Sequence, residues 1–150
     1  MPAWYMGSAL TFLQVEVMQA IPMAVRGPAN KVLIVEDHRD SREALKALFE
    51  AFGYQVMEAT NGREGVQTAL NARPSIILMD IMMPEMDGFD AARRIRAIPE
   101  LAHIPIIAVT AMEGARELAL QAGMSDYVRK PVDIRGLLNK VSLLLQPTPA

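Results

Sequence analysis

The chain has no cysteine, which excludes disulfide staples and thiol catalysis and is compatible with a reducing, cytoplasmic setting. It has only two histidines, His38 and His103, so a histidine-rich metal centre is excluded, and each reads as a solvated loop residue. Aromatic residues are 5% of the 150; Leu, Ile, Val, Ala and Met must therefore fill the interior. Positive charge is not in excess. The net charge of −2 gives no electrostatic argument for nucleic acid or an anionic membrane. No uninterrupted apolar run approaches the ~20 residues of a membrane span. What is present is an apolar half, 51% of the residues, in a length that fits one domain.

Residues 1–30 differ from the rest of the chain. They contain two charged residues, Glu16 and Arg26, and end in Gly27-Pro28-Ala29-Asn30, a linker-like break. No basic stretch precedes the apolar part, which argues against a signal peptide. Met6, Leu10, Leu13, Val17 and Ile21 have helical spacing, while Leu13, Val15 and Val17 alternate as in a strand; both patterns stay open. Trp4, Tyr5, Phe12 and these residues are too apolar for a disordered tail. The segment is read as an N-terminal extension, either a passive arm or one that packs on the domain or on a second copy, the last making a homodimer. Residues 31–146 are read as one domain and residues 147–150 as a tail.

From Lys31 onward, strand and helix patterns alternate. Strands are predicted over Lys31 to Val35, Tyr54 to Glu58, Ser75 to Met79, Ile104 to Val109 and Asp126 to Arg129. Helices are predicted from Ser41, as N-cap, to Phe52, then from Asn61 to Asn71, Phe89 to Ile98, Ala115 to Gln121 and Ile134 to Leu145. Gly53 and Gly123 are suitable stops, and Pro99 ends the third helix. Five such repeats imply an α/β fold, a doubly wound parallel sheet with helices on both faces.

Four of these strands run into polar residues. Val32-Leu33-Ile34-Val35 runs into Glu36-Asp37, and Ile76-Ile77-Leu78-Met79 into Asp80. Ile106-Ile107-Ala108-Val109 runs into Thr110-Ala111, and Tyr127-Val128-Arg129 into Lys130-Pro131. In a parallel sheet all four ends lie on one rim, where open α/β sheets bind ligands. The collected set is three carboxylates, one hydroxyl and one lysine, a site for a hard cation beside a phosphoryl group.

This ordered set, Glu36-Asp37, Asp80, Thr110-Ala111 and Lys130-Pro131, resembles the receiver domain of two-component response regulators over about residues 30 to 146. The chain is most similar to the stand-alone, single-domain type, and Leu101-Ala102-His103-Ile104-Pro105 resembles the cell-cycle subgroup. The resemblance implies a flavodoxin-like strand order 2-1-3-4-5. It implies Asp80 as the residue phosphorylated by a histidine kinase or histidine phosphotransfer protein, and a downstream protein target. Mg²⁺ is the fitting cation, being hard and an oxygen binder that keeps several waters. Asp37 and Asp80 would bind it directly, Glu36 through water, and the resemblance adds the backbone carbonyl of Met82. Asp80 is already ionised and needs no general base; Lys130 and the cation would neutralise the phosphoryl oxygens. The resemblance makes the Lys130–Pro131 bond cis and casts Thr110 and Tyr127 as switch residues. The Thr110 hydroxyl would donate to a phosphoryl oxygen only once that group is present.

Pro84 and Gly88 read as shaping the loop after Asp80, and Met83 and Met86 as packing or partner contact. Arg93, Arg94 and Arg96 read as a solvated helix face. One departure from the family pattern is the short Thr110-to-Lys130 interval, which alters the region of the fourth helix. A rival reading, an aspartate-nucleophile phosphatase, needs a second acid where Met82 stands. A flavin module would not place Glu36-Asp37 against a phosphate. The expectation is therefore a phospho-acceptor signalling module rather than an enzyme acting on other substrates, with a non-phosphorylated pseudo-receiver as the lesser alternative.

Overall fold

The computed structural model describes residues 30–146. The expected N-terminal extension, the arm-mediated dimer and the tail fall outside the described residues. Five strands form one parallel sheet in the order β2-β1-β3-β4-β5. They are β1 (Lys31–Val35), β2 (Gln55–Ala59), β3 (Ile76–Met79), β4 (Ile106–Thr110) and β5 (Asp126–Arg129). Helices α1 (Arg39–Ala51), α2 (Gly62–Ala72), α3 (Gly88–Ala97), α4 (Arg116–Gln121) and α5 (Ile134–Leu145) follow the strands in turn. No helix among the described residues is long and apolar enough to cross a membrane.

Side chains alternate across the sheet with the period of two that strands impose. Leu33, Val35, Ile77, Met79 and Ile106 point to one face and meet Ala69 of α2, Ala91, Ala92 and Ile95 of α3 and Ala119 of α4. Val32, Ile34, Ile76, Leu78 and Ile107 point to the other and meet Leu45 and Phe49 of α1 and Leu137, Leu138 and Val141 of α5. Both faces are covered, so the strands read as continuous apolar runs. Met83 and Met86 pack into the first of these cores.

The register positions the rim. Val35 lies beside both Ala59 and Met79, so Glu36 and Asp80 leave adjacent strands at one level. Backbone bonds continue the ladder past the strand ends: Glu36 N–H to the Ala59 carbonyl at 3.0 Å, Asp80 N–H to Val35 at 2.9 Å and Lys130 N–H to Thr110 at 2.8 Å.

Element boundaries depart from the sequence reading by more than one residue in two places. α1 starts earlier than Ser41: His38 is its N-cap, with Nδ1 accepting from the Ser41 N–H at 3.4 Å. β4 starts at Ile106 rather than Ile104, because Arg96 captures the Ile104 carbonyl at 2.6 Å and that of Ala102 at 3.2 Å. The same guanidinium donates to the Gly123 carbonyl at 2.7 Å. Arg96 is thus a half-buried staple joining α3, the turn before β4 and the turn after α4, not part of a solvated face. α4 has only 6 residues, in keeping with the short Thr110-to-Lys130 interval.

Tyr54 is buried against Phe49 in an edge-to-face contact, ring centroids 5.4 Å apart, and its hydroxyl has no hydrogen-bond partner among the described residues. An unpartnered buried hydroxyl costs stability. Tyr54→Phe is expected to leave the urea unfolding free energy unchanged or raise it by up to ~1 kcal/mol. A clear loss would show that the hydroxyl has a partner the fold needs.

Candidate functional site

Asp80 closes β3, the central strand, and is 7% exposed; Glu36 closes β1 and is 2% exposed. Asp37 follows Glu36 and is exposed. One carboxylate oxygen from each of the three lies within 4.8 Å of the others. Lys130, after β5, reaches over them: Nζ is 2.9 Å from Glu36 Oε1 and 3.4 Å from Asp80 Oδ2. The ammonium therefore sits nearer Glu36 than the expected acceptor. The Lys130–Pro131 peptide bond is cis.

The loop after Asp80 is shaped by close approach. The Met82 N–H donates to Asp80 Oδ1 at 3.1 Å, which fixes the carboxylate's orientation. Gly88, the first residue of α3, presses against the strand end, and its own N–H reaches the Ile81 carbonyl at 2.9 Å. A Cβ on Gly88 would fall 2.3 Å from the Asp80 carbonyl oxygen and 2.8 Å from the Ile81 Cα. Neither backbone atom can give way without moving the acid. Gly88→Ala is expected to destabilise the fold by roughly 1–3 kcal/mol, the usual range for overpacking, measured as a lower urea midpoint.

Electrostatics separate the two buried acids. Burial, followed by the hydrogen bond to Asp80, raises Glu36 to about 7 against the pull of Lys130. Burial acts on Asp80 in the same sense. There it is outweighed by the hydrogen bond from Glu36, the Lys130 charge, the Thr110 hydroxyl and the Met82 N–H, and Asp80 is held below the usual aspartate range. Burial also opposes the Lys130 ammonium, but Glu36 and Asp80 overcome it and push its pKa up. Glu36 is thus the weaker acid of the pair and Asp80 the stronger.

Thr110 is fully buried at the end of β4. Its hydroxyl accepts from the Met112 N–H at 3.3 Å and helps to lower the pKa of Asp80. Tyr127 is half-buried, and its hydroxyl donates to the Met112 carbonyl. Met112 is thus held by both expected switch residues, and no sequence pattern marks it. The Met82 side chain is 58% exposed and takes no part in the acid cluster.

The structure brings Glu36, Asp37, Asp80, Thr110 and Lys130 together, as parallel strand ends require. An all-oxygen cluster with one exposed member fits a hard divalent cation such as Mg²⁺ rather than a soft metal. Fold and rim together define a doubly wound α/β domain with an acidic, lysine-gated cleft at the carboxyl ends of its strands.

Residues 32–142 match the model of the response regulator receiver domain. The chain belongs to this family and is a receiver domain of two-component signalling. It is 37% identical over 116 residues to the polar-differentiation response regulator DivK of Brucella anthropi, covering 76% of this chain and 94% of that protein. It is 38% identical over 117 residues to PilH of Pseudomonas aeruginosa, covering 77% and 97%. Among solved structures it is similar to the receiver domain of the sensor histidine kinase PA1611 from Pseudomonas aeruginosa PAO1. That match has 36% identity and a TM-score of 0.72, covering 77% of this chain and 97% of the other. The PA1611 structure has a magnesium ion coordinated in its active-site cleft.

Proposed function

We propose that Asp80 accepts a phosphoryl group from a phosphohistidine, and that this modification switches the surface around Thr110, Met112 and Tyr127 for a downstream protein. The observation that carries this reading is the state of Asp80. It is buried at the end of the central strand, held anionic, and faced by a lysine and two further acids. A carboxylate oxygen attacks phosphorus, the P–N bond to the donor imidazole breaks, and an acyl phosphate forms on Asp80. The donor would be a histidine kinase or a histidine phosphotransfer protein.

Glu36, Asp37 and Asp80 would hold Mg²⁺, with the Met82 carbonyl as the further ligand the family resemblance implies. Mg²⁺, when bound, supplies positive charge for the phosphoryl oxygens. Lys130 supplies the second charge, and moves from Glu36 toward the phosphoryl group as it does so. Met82 N–H keeps Asp80 oriented. Thr110 offers its hydroxyl to a phosphoryl oxygen; giving up its bond from Met112 then frees the β4–α4 loop, and Tyr127 follows. The chain acts as a signalling module whose chemistry is confined to its own phosphorylation and dephosphorylation.

The test is incubation with a small phosphodonor and Mg²⁺, followed by intact mass. One phosphoryl group per chain is expected with Mg²⁺ and little without it. No gain in mass at millimolar Mg²⁺ would remove the reading and leave a pseudo-receiver.

A further inference from the structure

Arg42 lies near the N-terminal end of α1, where the helix dipole disfavours a cation. Its side chain is nevertheless only 16% exposed. Two different guanidinium nitrogens are used. Nη1 donates to the backbone carbonyl of Glu36 at 3.0 Å, and Nε faces Glu58 Oε1 on β2 at 3.5 Å. Glu58 is held in turn by Lys46, 3.5 Å from its other oxygen.

The Glu36 carbonyl belongs to the peptide that joins Glu36 to Asp37. The preceding N–H is tied to Ala59 at 3.0 Å. Glu36 is thereby fixed on both sides, by β2 through its N–H and by Arg42 through its carbonyl. Asp37 is exposed, and among the described residues no hydrogen bond or ion pair holds its carboxylate. Its place in the cluster is therefore set by the backbone that leads to it.

We infer that Arg42 is a positioning residue for the cation site: its fork, anchored on Glu58, holds the Glu36–Asp37 peptide where both acids converge on Asp80. The inference rests on the reading that these acids take Mg²⁺. Three roles for Arg42 differ in the direction of the effect on Mg²⁺. If Arg42 acted only through its charge, removing it would tighten Mg²⁺ binding, because a cation would leave the neighbourhood of the site. If it were only a structural staple, the melting temperature would fall at every Mg²⁺ concentration and the midpoint of the Mg²⁺ response would stay. If it positions the acids, the midpoint must rise.

The experiment is a Mg²⁺ titration of the melting temperature, with phosphodonor labelling at each concentration, for wild type, Arg42→Met, Arg42→Lys and Glu58→Gln. Arg42→Met is expected to raise the half-maximal Mg²⁺ about tenfold, the scale for supporting groups around metal ligands, with full labelling recovered at saturating Mg²⁺. Arg42→Lys keeps the charge but not the fork and should recover little of the loss. Glu58→Gln weakens the anchor from outside the site and should raise the midpoint by a smaller factor, which keeps the test available if Arg42→Met folds poorly. An unchanged or lowered midpoint in both Arg42→Met and Glu58→Gln would overturn the proposal. A wild type with no Mg²⁺ response would instead remove the underlying reading of the acids.

Discussion

Asp80→Asn is expected to abolish phosphoryl labelling altogether, with no residual mass gain at any Mg²⁺ concentration. An amide oxygen is a poor nucleophile, and Asp80 is the acid that ends the central strand, with its carboxylate oriented by the Met82 N–H and Lys130 beside it. The substitution should not achieve this by unfolding the chain. Asn keeps an oxygen that can accept the Met82 N–H, which Asp80 Oδ1 takes at 3.1 Å. It also removes the buried carboxylate that crowds Glu36 and leaves Lys130 bonded to Glu36 at 2.9 Å. The melting temperature without Mg²⁺ should therefore equal or exceed that of wild type, while the Mg²⁺ response shrinks. Intact mass and a melting curve on the same sample decide it. Full labelling of Asp80→Asn would overturn the assignment of the acceptor, and a collapsed melting curve would show that Asp80 is needed for folding.

The second large effect is the pH dependence of cation stabilisation. Glu36 is raised by burial from its usual value of 4.5 to about 7 in the fold. A raised folded pKa stabilises the native state most where the group is protonated in both states, below pH 4.5. That contribution is lost as the pH rises through about 7, at ~1.4 kcal/mol for each pH unit between the two values. Without Mg²⁺ the fold should therefore weaken between mildly acidic and neutral pH. Mg²⁺ takes the place of the proton, so its stabilising effect should be small near pH 5 and large near pH 8. At ~100 times its dissociation constant the gain is about 2.7 kcal/mol, or roughly 10 °C in melting temperature for a domain of this size. Melting curves at the two pH values, with and without millimolar Mg²⁺, measure it. Equal Mg²⁺ shifts at both would show that Glu36 carries no proton in the metal-free fold.

The strands and the rim are legible in the sequence because each depends on a local pattern. Ile76 to Met79 followed by Asp80, and Val32 to Val35 followed by Glu36, are apolar runs ending on an acid. Parallel pairing then brings such ends together. What stays hidden depends on contacts distant in sequence. Arg96 resembles its solvated neighbours in the chain, yet it donates to three carbonyls, of Gly123, Ala102 and Ile104, and so shortens β4. His38 is an uncommon N-cap residue, and only its bond with the Ser41 N–H reveals the role. Arg42 reads as one more charged residue of an amphipathic helix, because its partners lie on β1 and β2.

Met112 is held through its N–H by Thr110 and through its carbonyl by Tyr127. Two sites sharing one residue are linked by a single free energy that reads the same from either end. If phosphorylation loosens the Thr110 bond and makes Tyr127 easier to capture, then any partner that captures Tyr127 must favour the phosphorylated form by the same factor. A downstream target would thus report the signal and also prolong it, and adding target should shift the level of phosphorylated chain even with the donor held constant.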